Sequence, residues 1–403
     1  MDRSLLYRSD RRQPITGFFL DFAGHPPHTH ELATRILRRA AHLPALNLLP
    51  PAPYGQRWRP RVRCLDPSVH VRHRTDLAGY ADLAQVTDDL LQHPLAAAGH
   101  PRWDVWLLSG FAPGRFRIGY RIHHAQQDGA GAAHGALALL TDTPADSPCG
   151  PRPYPALRPG VAGLVHLGRD LIRSLRADRQ WGRAARAAGQ RSALTYEDVP
   201  EQRLRDLASR WGASLNDVSL AGLAMALRSW RERRTGGAAC PDVPVLVPMS
   251  TRQAHETHTP GNRLALPRLS LPCSAADLAA AVRDVRRQTE AVRRSGRRDA
   301  ERVALASVPA RVGVWATRAM TDPRTLPLVA SSLSMPCPSP CFGARLVAAS
   351  MFCDRPEGLL AYVSFTRLPG TVRCTVVCDA ADSAQARGIA RLWRGALHPQ
   401  DAP

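Results

Sequence analysis

The sequence predicts an α+β fold built from two halves. Runs with the period-two alternation of strands and runs with the helical spacing of apolar residues occur on both sides of a proline-rich stretch at 144–159. The strands and helices do not alternate as a βαβ series, so we expect two layers with mixed sheets. A chain of 403 residues is also long enough for two domains.

The first half carries strand and helix patterns up to residue 140. Period-two alternation and apolar strand-like runs predict strands, and apolar residues at helical spacing predict helices. The predicted elements are a strand at 14–22, a helix at 30–42, a strand at 69–72, a helix at 77–91, a hairpin of strands at 103–108 and 115–122, and a helix at 130–140.

The second half starts near Leu194 and shows a similar mixture. Its strongest helix pattern is 214–230, for which Ser214 is the expected N-cap. The predicted helices are 200–211, 214–230, 275–295, 301–320 and 382–398, and the predicted strands are 243–249, 264–271, 344–352, 359–366 and 371–378.

A long basic helix is predicted at 161–188, between the halves. Its apolar side chains are Val161, Leu164, Val165, Leu167, Leu171, Ile172 and Leu175, and arginines occupy much of the rest. This pattern is compatible with a helix on a membrane surface. We favour a crossover helix packed on its own protein, because helical apolar stripes usually face a core. The predicted organisation is therefore an N-terminal subdomain at 1–145, a linker with crossover helix at 146–193, and a C-terminal subdomain at 194–403.

The charge of the chain is strongly positive, with a net charge of +20. All 54 basic side chains are arginine, and they are spread over the whole sequence together with abundant alanine and proline, a composition typical of high-GC bacteria. No compact basic block with interleaved aromatics and no zinc-finger or RNA-binding motif is present, so we expect no nucleic-acid partner. A phosphate-bearing thioester or an acidic carrier protein suits such a surface better.

The nine cysteines include no Cys-x-x-Cys pair and no standard zinc spacing, so we expect free thiols and no metal site. The N-terminus lacks the apolar segment of a signal peptide, and no apolar run is long enough to cross a membrane. These observations predict a cytoplasmic protein with at most a peripheral membrane association.

One stretch carries most of the chemistry: Arg121 to Gly131, reading RIHHAQQDGAG. Period-two alternation through the preceding strand places His124 on the face of Phe116, Ile118, Tyr120 and Ile122, and His123 on the face of the arginines. We therefore expect His124 on the sheltered side. The simpler interpretation is a pair of turn histidines followed by a capping aspartate.

Acyl transfer is the chemistry that suits this stretch. An imidazole can take a proton from a hydroxyl or an amine while that group attacks a thioester carbonyl, so no protein nucleophile is needed. Asp128 can accept hydrogen bonds that lock the loop, and Gly129 permits a turn that a side chain would block. The sequence contains no Gly-x-Ser-x-Gly elbow, His-Glu-x-x-His motif or P-loop.

The motif HHAQQDG matches the HHxxxDG signature of the chloramphenicol acetyltransferase-like superfamily, which includes peptide-synthetase condensation domains. Further segments resemble the bacterial wax ester synthase/diacylglycerol acyltransferase family. In sequence order they are PRWDVWLLSGFAPGRF at 101–116, SLNDVSLAGLAMALR at 214–228, LVPMSTR at 246–252 and Gly261-Asn262-Arg263. These landmarks run from about residue 30 to 380.

The resemblance implies two acetyltransferase-like subdomains, each a mixed sheet with helices, and an active-site tunnel between them. It implies His124 as general base, His123 as a secondary contributor and Asp128 as the residue that holds the loop. Asn216 would shape the site from the second half, although Ser214 to Asp217 also has the form of a capping box. Acyl-CoA or the phosphopantetheine thioester of an acyl-carrier protein would be the co-substrate, with no bound cofactor.

The sequence departs from this family at Arg102, where a Pro-Leu-Trp segment is usual, and at Ser334-Met335-Pro336, where an Asn-Val-Pro segment is usual. These changes favour an enzyme of specialised metabolism that acylates a small-molecule alcohol, or less readily an amine. The alternatives are a storage-lipid synthase that makes wax esters or triacylglycerol, and a non-catalytic or cyclase-like member of the fold.

Overall fold

Two mixed β-sheets with helices packed on them form the main body of the protein. The computed structural model describes residues 13–49, 59–60, 65–96, 99–142, 160–177, 191–236, 240–335, 340–355 and 358–398. Each sheet has its own cluster of buried apolar side chains. The prediction of an α+β fold with a mixed sheet in each half is confirmed.

The elements described up to residue 176 are β1 (Ile15–Ala23), α1 (Thr29–Ala40), β2 (Leu48–Leu49), β3 (Arg59–Pro60), α2 (Pro67–His70), β4 (Val71–Arg74), α3 (Tyr80–Leu90), β5 (Trp103–Ser109), β6 (Arg115–His123), α4 (Gly129–Leu140) and α5 (Val161–Arg176). Most lie within two or three residues of their predicted positions. The strand predicted at 69–72 is wrong in part, because Pro67 begins a short helix that Asp66 caps.

The elements after residue 190 are β7 (Ser192–Pro200), α6 (Glu201–Arg210), α7 (Leu215–Thr235), β8 (Val243–Leu246), β9 (Met249–Ser250), β10 (Leu264–Ala265), β11 (Arg268–Leu271), α8 (Leu278–Arg294), α9 (Arg297–Ser307), α10 (Ala310–Met320), β12 (Leu328–Ser334), β13 (Arg345–Cys353), β14 (Ala361–Leu368), β15 (Thr371–Asp379) and α11 (Ser383–Leu397). The helix predicted at 301–320 is two helices that meet at Pro309. The sequence analysis missed β7 and β12.

The first sheet has the strand order β13-β1-β6-β5-β4. Strand β6 is central, and both of its faces are covered. Phe116, Ile118 and Tyr120 are fully buried in the apolar cluster that also contains residues of α1 and α4. On the other face, Arg117 and Arg121 are equally buried, because they donate to atoms of α3 and to Asp21 and Asp104. The arginine face is therefore a buried polar layer and not a solvated one.

The second sheet has the order β11-β8-β12-β14-β15-β7. Strand β13 lies next to it in space although it belongs to the first sheet, since Ser364 donates to the carbonyl of Met351 at 2.7 Å. A strand from the second half thus completes the sheet of the first half and lies against β14. The predicted subdomain boundaries at 145 and 193 stay a prediction.

A buried ion-pair network joins the two sheets, and we call it the junction cluster: Asp21, Arg117, Asp198 and Arg373. Arg373 donates to Asp21 at 2.6 Å and to both oxygens of Asp198 at 2.7 Å. Arg117 donates to the other oxygen of Asp21 at 2.6 Å. Burial alone would raise the pKa of Asp21, but Arg117 and Arg373 outweigh it, and the pKa lies below its ordinary value.

Helix α5 packs on α9 and α10, as a crossover helix should. Its predicted continuation at 178–188 lies outside the described residues. The prediction that its apolar stripe faces the core is wrong for five of the seven side chains: Val161, Leu164, Val165, Ile172 and Leu175 are exposed. Only Leu167 and Leu171 pack inward, against a small cluster around Leu266 and Met320.

Candidate active site

The motif lies in a tight turn between β6 and α4. Strand β6 ends at His123, residues 124–126 form the turn, and Asp128 is the N-cap of α4. The period-two argument therefore stops one residue short of His124, and the sheltered position that it predicted for that residue is wrong. His123 is the fully buried histidine, and His124 is half-buried.

His123 is held as a neutral imidazole. Its Nδ1 accepts a hydrogen bond from the amide of Ala125 at 3.1 Å, so the ring proton is on Nε2. Nε2 is buried and has no hydrogen-bond partner among the described residues. Burial, together with the positive charge of Arg102 and the neighbouring His124, lowers the pKa of His123 to about 3.

His124 is fixed through both its ring and its backbone. Its Nδ1 lies 3.2 Å from the carbonyl oxygen of Gln127, which can only accept, so Nδ1 carries the proton and Nε2 carries the lone pair. Its amide donates to the carbonyl of Pro14 at 2.8 Å, and its carbonyl accepts from Asn262 at 2.7 Å. The orientation of the ring is thus set by its own turn, and its backbone is tied to both halves of the chain.

Asp128 is completely buried and anchors the turn to the second half. One oxygen accepts from the amide of Gly131 at 2.8 Å and from Arg252 at 2.9 Å. The other oxygen accepts from the amide of Arg263 at 2.7 Å. We call Asp128, Arg252 and the backbone that they bind the loop cluster. It places Asp128 in the loop-holding position that the sequence predicted, and it does not place the carboxylate against the ring of His124.

Arg252 supplies the remaining bonds of the loop cluster. Its terminal nitrogens donate to the carbonyls of Glu256 and Thr259 at 2.8 Å and of Gly261 at 2.6 Å. The amide of Gly261 in turn donates to the carbonyl of Gln126 at 2.6 Å. The segment 251–263 therefore wraps around the motif turn, and Arg252 organises it from within.

Gly129 is needed for space and not for an unusual backbone conformation. It is the first residue of α4 and is not among the glycines with positive φ. A Cβ at this position would lie 2.2 Å from the terminal methyl of Met351, a residue of β13. The predicted reason, a turn forbidden to other residues, is wrong, and the glycine instead allows β13 to approach the start of α4.

Asn216 and Asp217 have separate roles at the start of α7. Ser214 and Asp217 form a complete capping box, in which the Asp217 carboxylate accepts from the Ser214 amide at 3.0 Å. Asn216 accepts a hydrogen bond from Ser332 of β12 and faces a cavity. The two readings of this segment, capping and site, therefore apply to different residues.

The cavity beside Asn216 has a volume of about 950 Å³. It extends from the first turn of α4 and Arg252 to the ends of β12 and β14 in the second half. Its polar lining includes Arg205, Asn216, Arg293, Ser332, Ser334 and Arg367. Because the residues around it come from both halves, this cavity is the space between them that adjoins the motif turn.

Other kinds of site are not formed by the described residues. No cluster of three or more His, Cys, Asp or Glu side chains in the described ranges has the arrangement of a metal site. The cysteines in the described part of the chain are free and buried, whereas Cys337 lies outside it. Among the described helices, none combines the length and apolar character required to cross a membrane.

The fold and the loop cluster can now be compared with known proteins. Residues 15–160 match the wax ester synthase/diacylglycerol acyltransferase catalytic domain. A protein of Mycobacterium tuberculosis named for diacylglycerol O-acyltransferase activity is 27% identical over 233 residues, a match that covers 49% of this chain and 49% of the relative. The chain thus spans about half the length of this relative. The resemblance to the wax ester synthase/diacylglycerol acyltransferase family is confirmed.

Solved structures of this family and of condensation domains share the fold. The wax ester synthase/diacylglycerol acyltransferase of Marinobacter aquaeolei has a TM-score of 0.67 at 18% identity, over 98% of this chain and 96% of that chain. The starter condensation domain of rhizomide synthetase, solved with C8-CoA, has a TM-score of 0.66 at 14% identity, over 100% of this chain and 94% of that chain. The two-subdomain acetyltransferase-like fold is therefore established.

The sequence analysis missed residues that the site requires. Arg252 and Asn262 belonged to segments that resemble the family, but neither was predicted to touch the motif. Their signal was present: an arginine within a polar, proline-flanked segment has no apolar period, and such a residue is buried only when it binds carbonyls or carboxylates. The tertiary partner of Asp128 cannot be read from local spacing.

Proposed function

We propose that this chain is an acyltransferase that moves an acyl group from a thioester to a hydroxyl, or less readily an amine, of a small-molecule acceptor. The observation that carries the proposal is His124, whose ring is fixed by the carbonyl of Gln127 with Nε2 as the free base atom. A pre-oriented neutral imidazole is what general-base catalysis near neutral pH needs. The family match over residues 15–160 supports the same reaction class.

The proposed step uses His124 twice. Nε2 takes the proton of the acceptor hydroxyl while the hydroxyl oxygen bonds to the thioester carbonyl carbon. The tetrahedral intermediate then collapses, the carbon–sulfur bond breaks, and the imidazolium returns the proton to the departing thiolate. The products are an ester and a free thiol, and no protein nucleophile or metal takes part in the balance.

His123, Asp128 and Gly129 have supporting roles in this proposal. His123 cannot act as the base, because its lowered pKa of about 3 and its buried proton on Nε2 keep it neutral and inaccessible. Asp128 holds the turn through Arg252 and acts on His124 only by way of the backbone. Gly129 lets Met351 pack against the helix that follows.

The polar cavity supports an acceptor or donor with polar groups. Asn216, Ser332 and Ser334 offer amide and hydroxyl groups, and Arg205, Arg293 and Arg367 add positive charge. Guanidinium groups suit the phosphates of coenzyme A or of a carrier-protein phosphopantetheine. The neighbouring rhizomide synthetase domain was solved with C8-CoA, which supports acyl-CoA as the donor. We propose that Asn216 positions the bound substrate, and that the product is a tailored metabolite.

A storage-lipid synthase is the second candidate. It is favoured by the relatives, since the matched Mycobacterium tuberculosis protein carries a diacylglycerol O-acyltransferase name. Long-chain alcohols and diacylglycerol offered with long-chain acyl-CoA separate the two candidates. A tailoring enzyme leaves both acceptors unmodified and acylates small polar alcohols, whereas a storage-lipid synthase does the opposite.

The general-base role is tested with His124→Ala. We expect its kcat to fall by about a hundredfold to ten-thousandfold while the protein remains folded, because a positioned base contributes that much to proton transfer. His73→Ala, which removes an exposed histidine of β4, is the matched control and should keep full activity. Full acyl transfer by the His124→Ala protein would refute the assignment.

A further inference from the structure

Helix α5 packs on the rest of the protein with its small and polar side. Gly163 and Ser174 are buried in this contact, and a Cβ on Gly163 would lie 2.7 Å from the Cβ of Ala300 in α9. Asp170 faces the same way and forms an ion pair with the buried Arg297. The helix is therefore held close by its narrow side, in a fixed rotation about its own axis.

The opposite side of α5 is apolar and exposed. The exposed fractions are 79% for Val161, 49% for Leu164, 46% for Val165, 50% for Ile172 and 53% for Leu175. At helical spacing these side chains fall on one side of the helix. An amphipathic helix normally buries such a stripe, so a stripe turned away from the core indicates an apolar surface that covers it from outside.

Helix α10, which packs beside α5, shows the same reversal. Gly313 and Thr317 are buried on its inner side, while Val312 is 47% exposed and Trp315 is 52% exposed. An exposed tryptophan next to an apolar stripe is typical of a surface that lies at a lipid–water boundary. We call the outward faces of α5 and α10 the apolar surface.

The charges around the apolar surface are positive. Arg169, Arg173 and Arg176 on α5 are exposed, as are Arg311 and Arg318 on α10. The acid of α5, Asp170, points inward to Arg297, although Arg173 also reaches it at 3.3 Å, and the sequence of α10 contains no acid. A second copy of the chain would bring arginines against arginines, which costs free energy. An anionic apolar surface complements both features.

We propose that the apolar surface binds the surface of an anionic phospholipid bilayer. Helix α5 would lie in the plane of the interface, with Ile172 and Leu175 among the upper acyl chains and the arginines extended to the lipid phosphates. Trp315 would lie at the level of the headgroups. This inference concerns a surface distinct from the motif turn and the cavity, and it holds whether or not acyl transfer is the activity.

The test is flotation of the purified full chain with vesicles of phosphatidylcholine, with or without phosphatidylglycerol. We expect binding to the phosphatidylglycerol vesicles, with a partition coefficient that falls as salt rises. Ile172→Ser combined with Leu175→Ser should lower that coefficient at least about tenfold, since two apolar side chains no longer insert. Arg169→Glu combined with Arg176→Glu should lower it by a similar factor, about tenfold or more.

The matched control is Tyr80→Ser, which removes a side chain that is 61% exposed on α3, away from the apolar surface. It should bind vesicles like the unaltered chain, and equal melting temperatures would show that all variants fold. Failure of the unaltered chain to float with anionic vesicles overturns the proposal. So does binding that the α5 variants leave unchanged, or a dimer in sedimentation velocity that Ile172→Ser disperses without any lipid binding.

Discussion

Two buried arginine–carboxylate groups connect the halves of this protein, and they do so in different ways. In the loop cluster, Asp128 accepts from two backbone amides as well as from Arg252, and Arg252 donates to three carbonyls. In the junction cluster, Arg373 binds side chains of β1, β7 and β13: Asp21, Asp198 and Ser350. The first cluster shapes a backbone turn, whereas the second fixes the packing of strands. Similar charges thus serve a site in one place and stability in the other.

The sharpest test of this difference is Asp128→Asn. An uncharged amide leaves the guanidinium of Arg252 buried without its counter-charge, so we expect the free energy of unfolding to fall by about 3–5 kcal/mol. We also expect kcat to fall strongly at temperatures where the variant is folded, because the turn that orients His124 loosens. Chemical denaturation and steady-state kinetics measure the two effects. A variant that loses stability but keeps kcat would show that the loop cluster does not serve the site.

A smaller and purely structural effect is expected for Arg373→Met in the junction cluster. The free energy of unfolding should fall by about 3 kcal/mol, because Asp198 loses its bidentate partner and Asp21 keeps only Arg117. At temperatures where the variant is folded, kcat should be unchanged. Asp21→Asn added to Arg373→Met should cost less than the sum of the single changes, since the two residues share one interaction. A large loss of kcat would remove the distinction between the clusters.

The smallest effect concerns pH and His123, which lies beside the loop cluster. Its pKa is lowered from 6.5 to about 3 in the folded protein. The unfolded chain therefore binds a proton below pH 6.5 that the folded chain refuses, and the stability from this residue is present above that pH and lost as the pH falls. Relative to His123→Asn, the free energy of unfolding of the unaltered protein should decrease by up to about 1.4 kcal/mol per pH unit between about pH 6 and pH 4. Parallel pH profiles for the two proteins would contradict this prediction.

Much of the architecture could be predicted from local pattern, because local pattern is what determines the elements concerned. The spacing of apolar residues identified α7, and Ser214 identified its cap. The motif identified the turn before α4. Strand β12 escaped notice because its serines face the cavity, so its sequence LVASSLS lacks the apolar alternation of a core strand.

The remaining errors concern tertiary partners, which spacing does not encode. Alternation along β6 was extended to His124, but Asp128 and Arg252 end the strand regularity before that residue. The pattern of α5 predicted a helix correctly and assigned the wrong face to the core, because Gly163 and Asp170 make a closer contact than the leucines could. In both places a polar interaction from the other half overrides the local apolar preference.

The position of β13 has a consequence for the order in which the protein is made. Strand β1 pairs with β6 on one side and with β13 on the other, and Thr16 donates to the carbonyl of Phe352 across 336 positions of sequence. A ribosome that has released the first half has therefore supplied only one of the two neighbours of β1. The other edge of β1, rich in phenylalanine, stays open until residues 345–353 emerge. Folding of the first sheet is thus completed late in synthesis, by nearly the last strand of the chain.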